Sequence, residues 1–118
     1  MDEGKVVKVL SNMEVVVNLG ASHGVHEGTR FVIFQLGEDL VDPDTKQSLG
    51  RLELVRGRGE ARHVQDRMST IRSIETKRAL RDRVQKSPLA ILPSVETVEV
   101  EVQAPFEGVK EGDLARKL

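Results

Sequence analysis

The chain has 118 residues, 38% of them apolar before its ten glycines are counted, a formal net charge of −1, and no cysteine, tryptophan or tyrosine. A chain of this length suits one domain whose single core buries about two-thirds of the surface exposed on unfolding, and this composition excludes wholesale disorder. Without cysteine there is no disulfide, zinc–thiolate site or thiol nucleophile, and no redox clue to compartment.

The opening MDEGKVVKVL has no basic n-region, long apolar run or small-residue cleavage site. Neither a signal peptide nor membrane insertion is therefore expected, which makes the cytoplasm the default location and the periplasm the alternative if the chain is part of an exported protein. KVVKVL and MEVVVNL are Val-rich runs separated by Ser11-Asn12, a pair suited to a tight turn, so residues 5–19 read as a β-hairpin. TRFVIFQL is nearly all apolar, as a buried strand or barrel wall would be, with Phe31 and Phe34 as core. Asp42-Pro43-Asp44-Thr45 predicts a type I turn, and RLELV resumes as an alternating strand. Gly57-Arg58-Gly59 reads as a break, followed by the short strands EARHVQ and MSTIRSI on either side of Asp66-Arg67.

From Glu75 to Lys86 the pattern changes. ETKRALRDRVQK is rich in helix formers, with Leu80 and Val84 at i and i+4, and reads as a short helix, a basic linker having nearly the same composition. Ser87-Pro88 ends it, and PLAILP crosses back between two prolines. SVETVEVEVQ then alternates strictly, Val98, Val100 and Val102 on one face and Glu99, Glu101 and Gln103 on the other; its glutamates would guard a sheet edge against unwanted pairing. The prediction is an all-β single domain, a closed or partly open barrel of six to seven strands with one short helix. Residues 4–75 form the barrel core, 76–94 the basic helix or linker, and 95–118 the strands completing the barrel.

One stretch resembles a site. NLGASHGVHEGTRF carries Gly20, Gly24 and Gly28 at every fourth position, a glycine density that invites comparison with phosphate-binding loops. A P-loop requires Gly-Lys-Ser/Thr entering a helix, whereas Gly28-Thr29-Arg30 enters an apolar strand. GVHEG at 24–28 also recurs as GVKEG at 108–112, and a turn used twice is structural. Gly24 and Gly108 would leave the strand with positive φ, Val25 and Val109 would plug the core, and Gly28 and Gly112 would allow a close approach at the next strand.

These residues carry a likeness. VVVNLGASHGVHEGTRFVIF followed by DPDTKQSLG resembles a small bacterial barrel module found at the C-terminus of flagellar assembly protein T and, more loosely, in the β-rich domains of the rod-shape protein MreC and in translation-factor barrels. The resemblance covers residues 4–75 and implies a small closed barrel that acts by contact, without catalysis, in a bacterial envelope or appendage assembly. The basic insert at 76–94 departs from it.

No catalytic or metal set is expected. His23 and His26 with Glu27 lie on one loop, where i and i+3 side chains do not converge, and His63 is the only other histidine. DPDTKQ begins like a calcium loop but has Lys46 at its fifth position and Gln47 at the sixth, where such a loop needs glycine. G-x-S-x-G, H-E-x-x-H and Gly-Lys-Ser/Thr are absent from the sequence. The expectation is a protein without enzyme activity or cofactor.

Charge is unevenly spread. Residues 51–86 hold eleven Lys and Arg, nine of them Arg, against five acids, while both flanks are acidic. Arg51, Arg56, Arg58, Arg62 and Arg67 are thus candidates for an anion, a nucleic acid or a protein partner, a solvated barrel face neutralised by its flanks being the alternative. A nucleic-acid barrel would use these arginines on phosphates, although the segment has no aromatic residue on which bases could stack. The leading expectation is a protein-interaction or assembly module, working through a partner or by self-association, with contact surfaces at the arginine-rich hairpin and the edge strand Val98-Glu99-Val100-Glu101-Val102.

Overall fold

Among the residues described by this computed structural model, 2–85 and 94–118, alternating Val, Ile and Phe side chains draw the chain into eight strands. These are β1 (Glu3–Val9), β2 (Glu14–Val17), β3 (Arg30–Val41), β4 (Ser48–Val64), β5 (Ser69–Ser73), β6 (Thr76–Gln85), β7 (Ser94–Gln103) and β8 (Leu114–Lys117), with a 3-10 turn at Ala21–His23. Six of them, in the order β1-β2-β5-β4-β3-β8, close an antiparallel barrel, as the composition and strand pattern predict; β6 and β7 pair only with each other.

The barrel interior mixes large and small residues, as a narrow barrel must. Val6, Val15, Val17, Phe31, Ile33, Ile71 and Phe106 are buried in it, against Gly57, Gly59 and Ala61 on β4, Ala115 on β8 and Ser69 and Ser73 on β5. Both buried serines are satisfied: the Ser69 hydroxyl donates to the Leu19 carbonyl at 2.7 Å and that of Ser73 to the Ala104 carbonyl at 2.6 Å. Gly57-Arg58-Gly59 does not break the chain. It lies within β4, where the glycines face inward and leave room for a neighbour: a Cβ on Gly59 would stand 2.6 Å from Ile71 Cγ2 and 3.0 Å from the Phe106 ring. Phe31 joins the barrel core, whereas Phe34 is buried apart from it, because the register shifts between Ile33 and Phe34 and the Arg116 guanidinium covers the Phe34 ring at 4.7 Å.

The two GV-x-EG loops fold alike. In the first, the Thr29 hydroxyl accepts the His26 N–H at 3.1 Å; in the second, the Asp113 carboxylate accepts the Lys110 N–H at 2.9 Å. Gly28 N–H donates to the Ala61 carbonyl and Gly112 N–H to that of Val6, both at 2.9 Å. Val25 is buried and Val109 packs against the core. Gly24 and Gly108 have φ of +81° and +66°, while Gly28 and Gly112, at +89° and +90°, have nothing within 4 Å of an added Cβ. The second glycine is therefore needed for its left-handed backbone, and the expected close approach is absent.

Two expectations are corrected. The segment from Glu75 is no helix: β6 pairs with β7 from Thr76↔Gln103 to Gln85↔Ser94, and this long-range pairing overrides helix propensity. Leu80, 73% exposed, has no core on which a helix could pack. Nor does β7 complete the barrel; β8 alone of that C-terminal region does, pairing with β1 and β3. The expected crossing at PLAILP lies outside the described residues.

Steric need and backbone conformation separate in urea unfolding. Gly59→Ala should destabilise the barrel by about 3 kcal/mol through overpacking against Ile71. Gly28→Ala, strained only in φ, should cost about 1 kcal/mol.

Candidate interaction surface

The five arginines of interest do not form one patch. Arg51 and Arg62 are eleven residues apart on one strand, about 36 Å at strand rise. Arg51 Nε donates to the Gly37 carbonyl at 2.9 Å, and Arg62 pairs with Glu60 at 3.0 Å. Arg56 is turned to internal use: its Nε lies 3.3 Å from the buried carboxylate of Asp113, and Nη2 donates to Gln35. Arg58 and Arg67 are exposed and have no ion pair among the described residues. Across the outer wall, Arg30, Glu60, Arg72 and Glu14 stand opposite one another on β3, β4, β5 and β2, so that charge alternates from strand to strand. Arg72 reaches Glu14 at 3.6 Å. Cross-strand pairs of this kind stabilise a sheet modestly and leave little net field.

The histidines are also used locally. His23 Nδ1 accepts the Gly20 N–H at 3.0 Å, and His26 Nδ1 lies 3.2 Å from the Thr29 hydroxyl. Among the described residues no three His, Asp or Glu side chains gather where a metal could be held. Among the described residues, open crevices of about 430 Å³ each include one between Val55, Gly57, Lys77 and Pro105 and another between His26, Arg30 and Lys117. The first is lined by two carboxylates, Glu75, which accepts the Arg58 N–H at 2.8 Å, and Glu107.

What remains is the pair of ribbons that leave the barrel. The first is the outer part of β3 and β4. β8 accompanies β3 only as far as Phe34↔Leu114, beyond which β3 and β4 continue with each other alone to Val41↔Ser48. The Asp42 carboxylate closes the turn by accepting the N–H groups of Asp44 and Thr45, at 2.8 and 3.2 Å. Directly opposed residues share a face, so register sorts the side chains. Leu54 shares a face with Gln35, and Leu40 with Gly50 two pleats further on; alternation along β4 adds Leu52, and the shift after Leu40 adds Val41. Leu40, Val41, Leu52 and Leu54 thus line one face, each exposed. The other face carries Arg51, Glu53 and Asp39, and Glu53 also binds Arg116 of β8, raising its pKa above the usual arginine value.

The second ribbon is β6–β7. One face pairs Lys77 with Val102, Ala79 with Val100 and Arg81 with Val98; Ala79 and the three valines are half-buried, and Lys77 and Arg81 are exposed. The opposite face pairs Arg78 with Glu101 and Leu80 with Glu99, and Arg78 Nη1 also reaches Glu99 at 3.2 Å. The edge strand foreseen from sequence is thus half of a free ribbon, and the basic segment before it is the other half. Sequence reasoning missed Leu40, Val41, Leu52, Leu54 and Leu80. The signal was present in the length of strand beyond the first turn of the barrel, which exceeds what a small barrel can pair.

Two bulk properties measure what the ribbons add. The radius of gyration is 20.3 Å, against about 13.5 Å for a compact domain of this length. The accessible surface is 8193 Å², about 1,800 Å² more than a folded monomer of this mass ordinarily exposes. Compared with known proteins, the chain matches no protein-family model and no curated protein.

The internal use of Arg56 has a measurable consequence. Removing one partner of a buried pair strands the other, so Asp113→Ala should lower unfolding free energy by about 3 kcal/mol, against about 1 kcal/mol for Thr29→Ala at the equivalent loop position, where only a neutral cap is lost. Equal losses in urea titrations would contradict the assigned role of the Arg56–Asp113 contact.

Proposed function

We propose that this chain is a non-catalytic protein-interaction or assembly module whose working surface is its two ribbons, the barrel serving as a rigid base. The observation that carries the reading is the apolar face of the outer β3–β4 ribbon. Leu40, Val41, Leu52 and Leu54 lie together there, from 37% to 54% exposed, on a two-stranded element with no core of its own. Isolated two-stranded ribbons are marginal in water, and contiguous apolar surface rimmed by charge is the mark of a contact site. The excess accessible surface of one chain exceeds the roughly 800 Å² that each partner contributes to a standard protein–protein interface. The likeness of residues 4–75 to barrel modules that act by contact agrees with this.

A photo-cross-linking side chain at Leu54 or Leu80, with one at Thr70 on the barrel wall for comparison, tests it in the source cell. Protein adducts should form from 54 and 80 and be scarce from 70. Adducts confined to 70, or to nucleic acid, would overturn the assignment.

A further inference from the structure

The β6–β7 ribbon is segregated by charge along its strands. β6 carries Lys77, Arg78, Arg81 and Arg83 with one acid, Asp82; β7 carries Glu96, Glu99 and Glu101 and no basic residue. Both strands are edges, since among the described residues neither pairs with any other strand. Each therefore offers a row of unpaired main-chain N–H and C=O groups, the usual template for adding another strand. The charges decide which strand can be added. β7 against β7 sets glutamates beside glutamates, and β6 against β6 sets arginines beside arginines, both destabilising arrangements. The remaining combination, β7 of one copy against β6 of another, is complementary.

Resting on the reading of the ribbons as contact surfaces, we propose that the occupant of these edges is a second copy of this chain, joined with its β6 alongside β7 of the first. The contact is heterologous: each copy keeps a free basic edge on one side or a free acidic edge on the other, so association continues beyond the dimer. Geometry adds a direction. Ribbons paired edge to edge sit about 10 Å apart, two strand spacings, whereas a closed six-stranded barrel is about 12 Å across between backbones before side chains are added. Neighbouring barrels on the same side would collide, so successive copies point opposite ways. Reversing a copy while keeping β6 next to β7 turns its faces over. On one side Glu99 and Glu101 then lie beside Lys77 and Arg81 of the next copy. On the other, the Val98, Val100 and Val102 row lies beside the face bearing Leu80, which is 73% exposed in the single chain.

Charge exchange tests the pairing. Sedimentation of the full chain over a concentration series should show association beyond the dimer, weakening with salt. Lys77→Glu/Arg81→Glu and Glu99→Lys/Glu101→Lys should each associate about tenfold or more weakly than the parent, and mixing the two variants should restore assembly, because the reversed strands then complement each other. Circular dichroism checks that both variants keep their strand content. If the β7 variant loses it, Glu99→Gln/Glu101→Gln takes its place and should weaken association and its salt dependence. A parent that stays monomeric overturns the proposal, as does undiminished association of the Lys77→Glu/Arg81→Glu variant or failure of two folded variants to rescue one another. These failures are distinguishable from failure of the interaction reading: cross-links from positions 54 and 80 to a different protein would leave that reading standing, and adducts of twice the chain mass are expected if both hold.

Discussion

The structure depends on how little room a six-stranded barrel leaves inside. Gly57, Gly59 and Ala61 present almost no side chain on the inner face of β4, and that absence lets Ile71 and Phe106 fill the axis. From this constraint follows the position of the C-terminal region. Phe106 is the anchor that brings the chain back to the barrel after β7: its N–H donates to the Asn12 carbonyl at 2.8 Å, and Glu107 N–H to that of Arg56 at 2.8 Å. The second GV-x-EG loop then delivers β8 between β1 and β3, closing the wall. An excursion of β6 and β7 is thereby tied down at its root, through the Ala104 N–H on the Glu75 carbonyl at 2.7 Å, without taking part in the core.

That arrangement divides the molecule into a satisfied part and an unsatisfied part. On the barrel, inward side chains are packed, buried hydroxyls are bonded, and outward charges alternate across four strands. Along the ribbons, backbone edges are open and apolar side chains face solvent. Natural sheets blunt such edges with charge. Here the charges on β6 and β7 have opposite sign, which blocks like edges from meeting while leaving unlike edges free to do so. In the proposed assembly the glutamates of β7 would therefore select a partner as well as repel one.

Much of the barrel was legible in the sequence because its signals are local. Val-rich runs mark β1 and β2, period-two alternation marks the RLELV part of β4 and β7, Asp42-Pro43 marks a turn, and the echo between residues 24–28 and 108–112 marks two equivalent loops. What was not legible depends on pairing at a distance. Leu80 and Val84 satisfy a helical spacing and, being an even number of residues apart, equally a strand face; only β7, far along the chain, decides between them. Gly57 and Gly59 look like a break until Phe106 is known to occupy the space they leave. The arginine-rich block looked like one surface, but strand rise spreads it over the length of β4, and Arg56 turns toward Asp113, 57 residues away. The outer β3–β4 ribbon escaped notice because its leucines resemble barrel residues until the register places them beyond β8.

Hydrogen exchange at two protein concentrations addresses the central claim most directly, since it reads the ribbon edges one amide at a time. The account predicts that outward-pointing amides of β6 and β7 exchange fast in dilute solution and become protected on concentration, with barrel amides unchanged. Ribbon amides that exchange equally at both concentrations would contradict it.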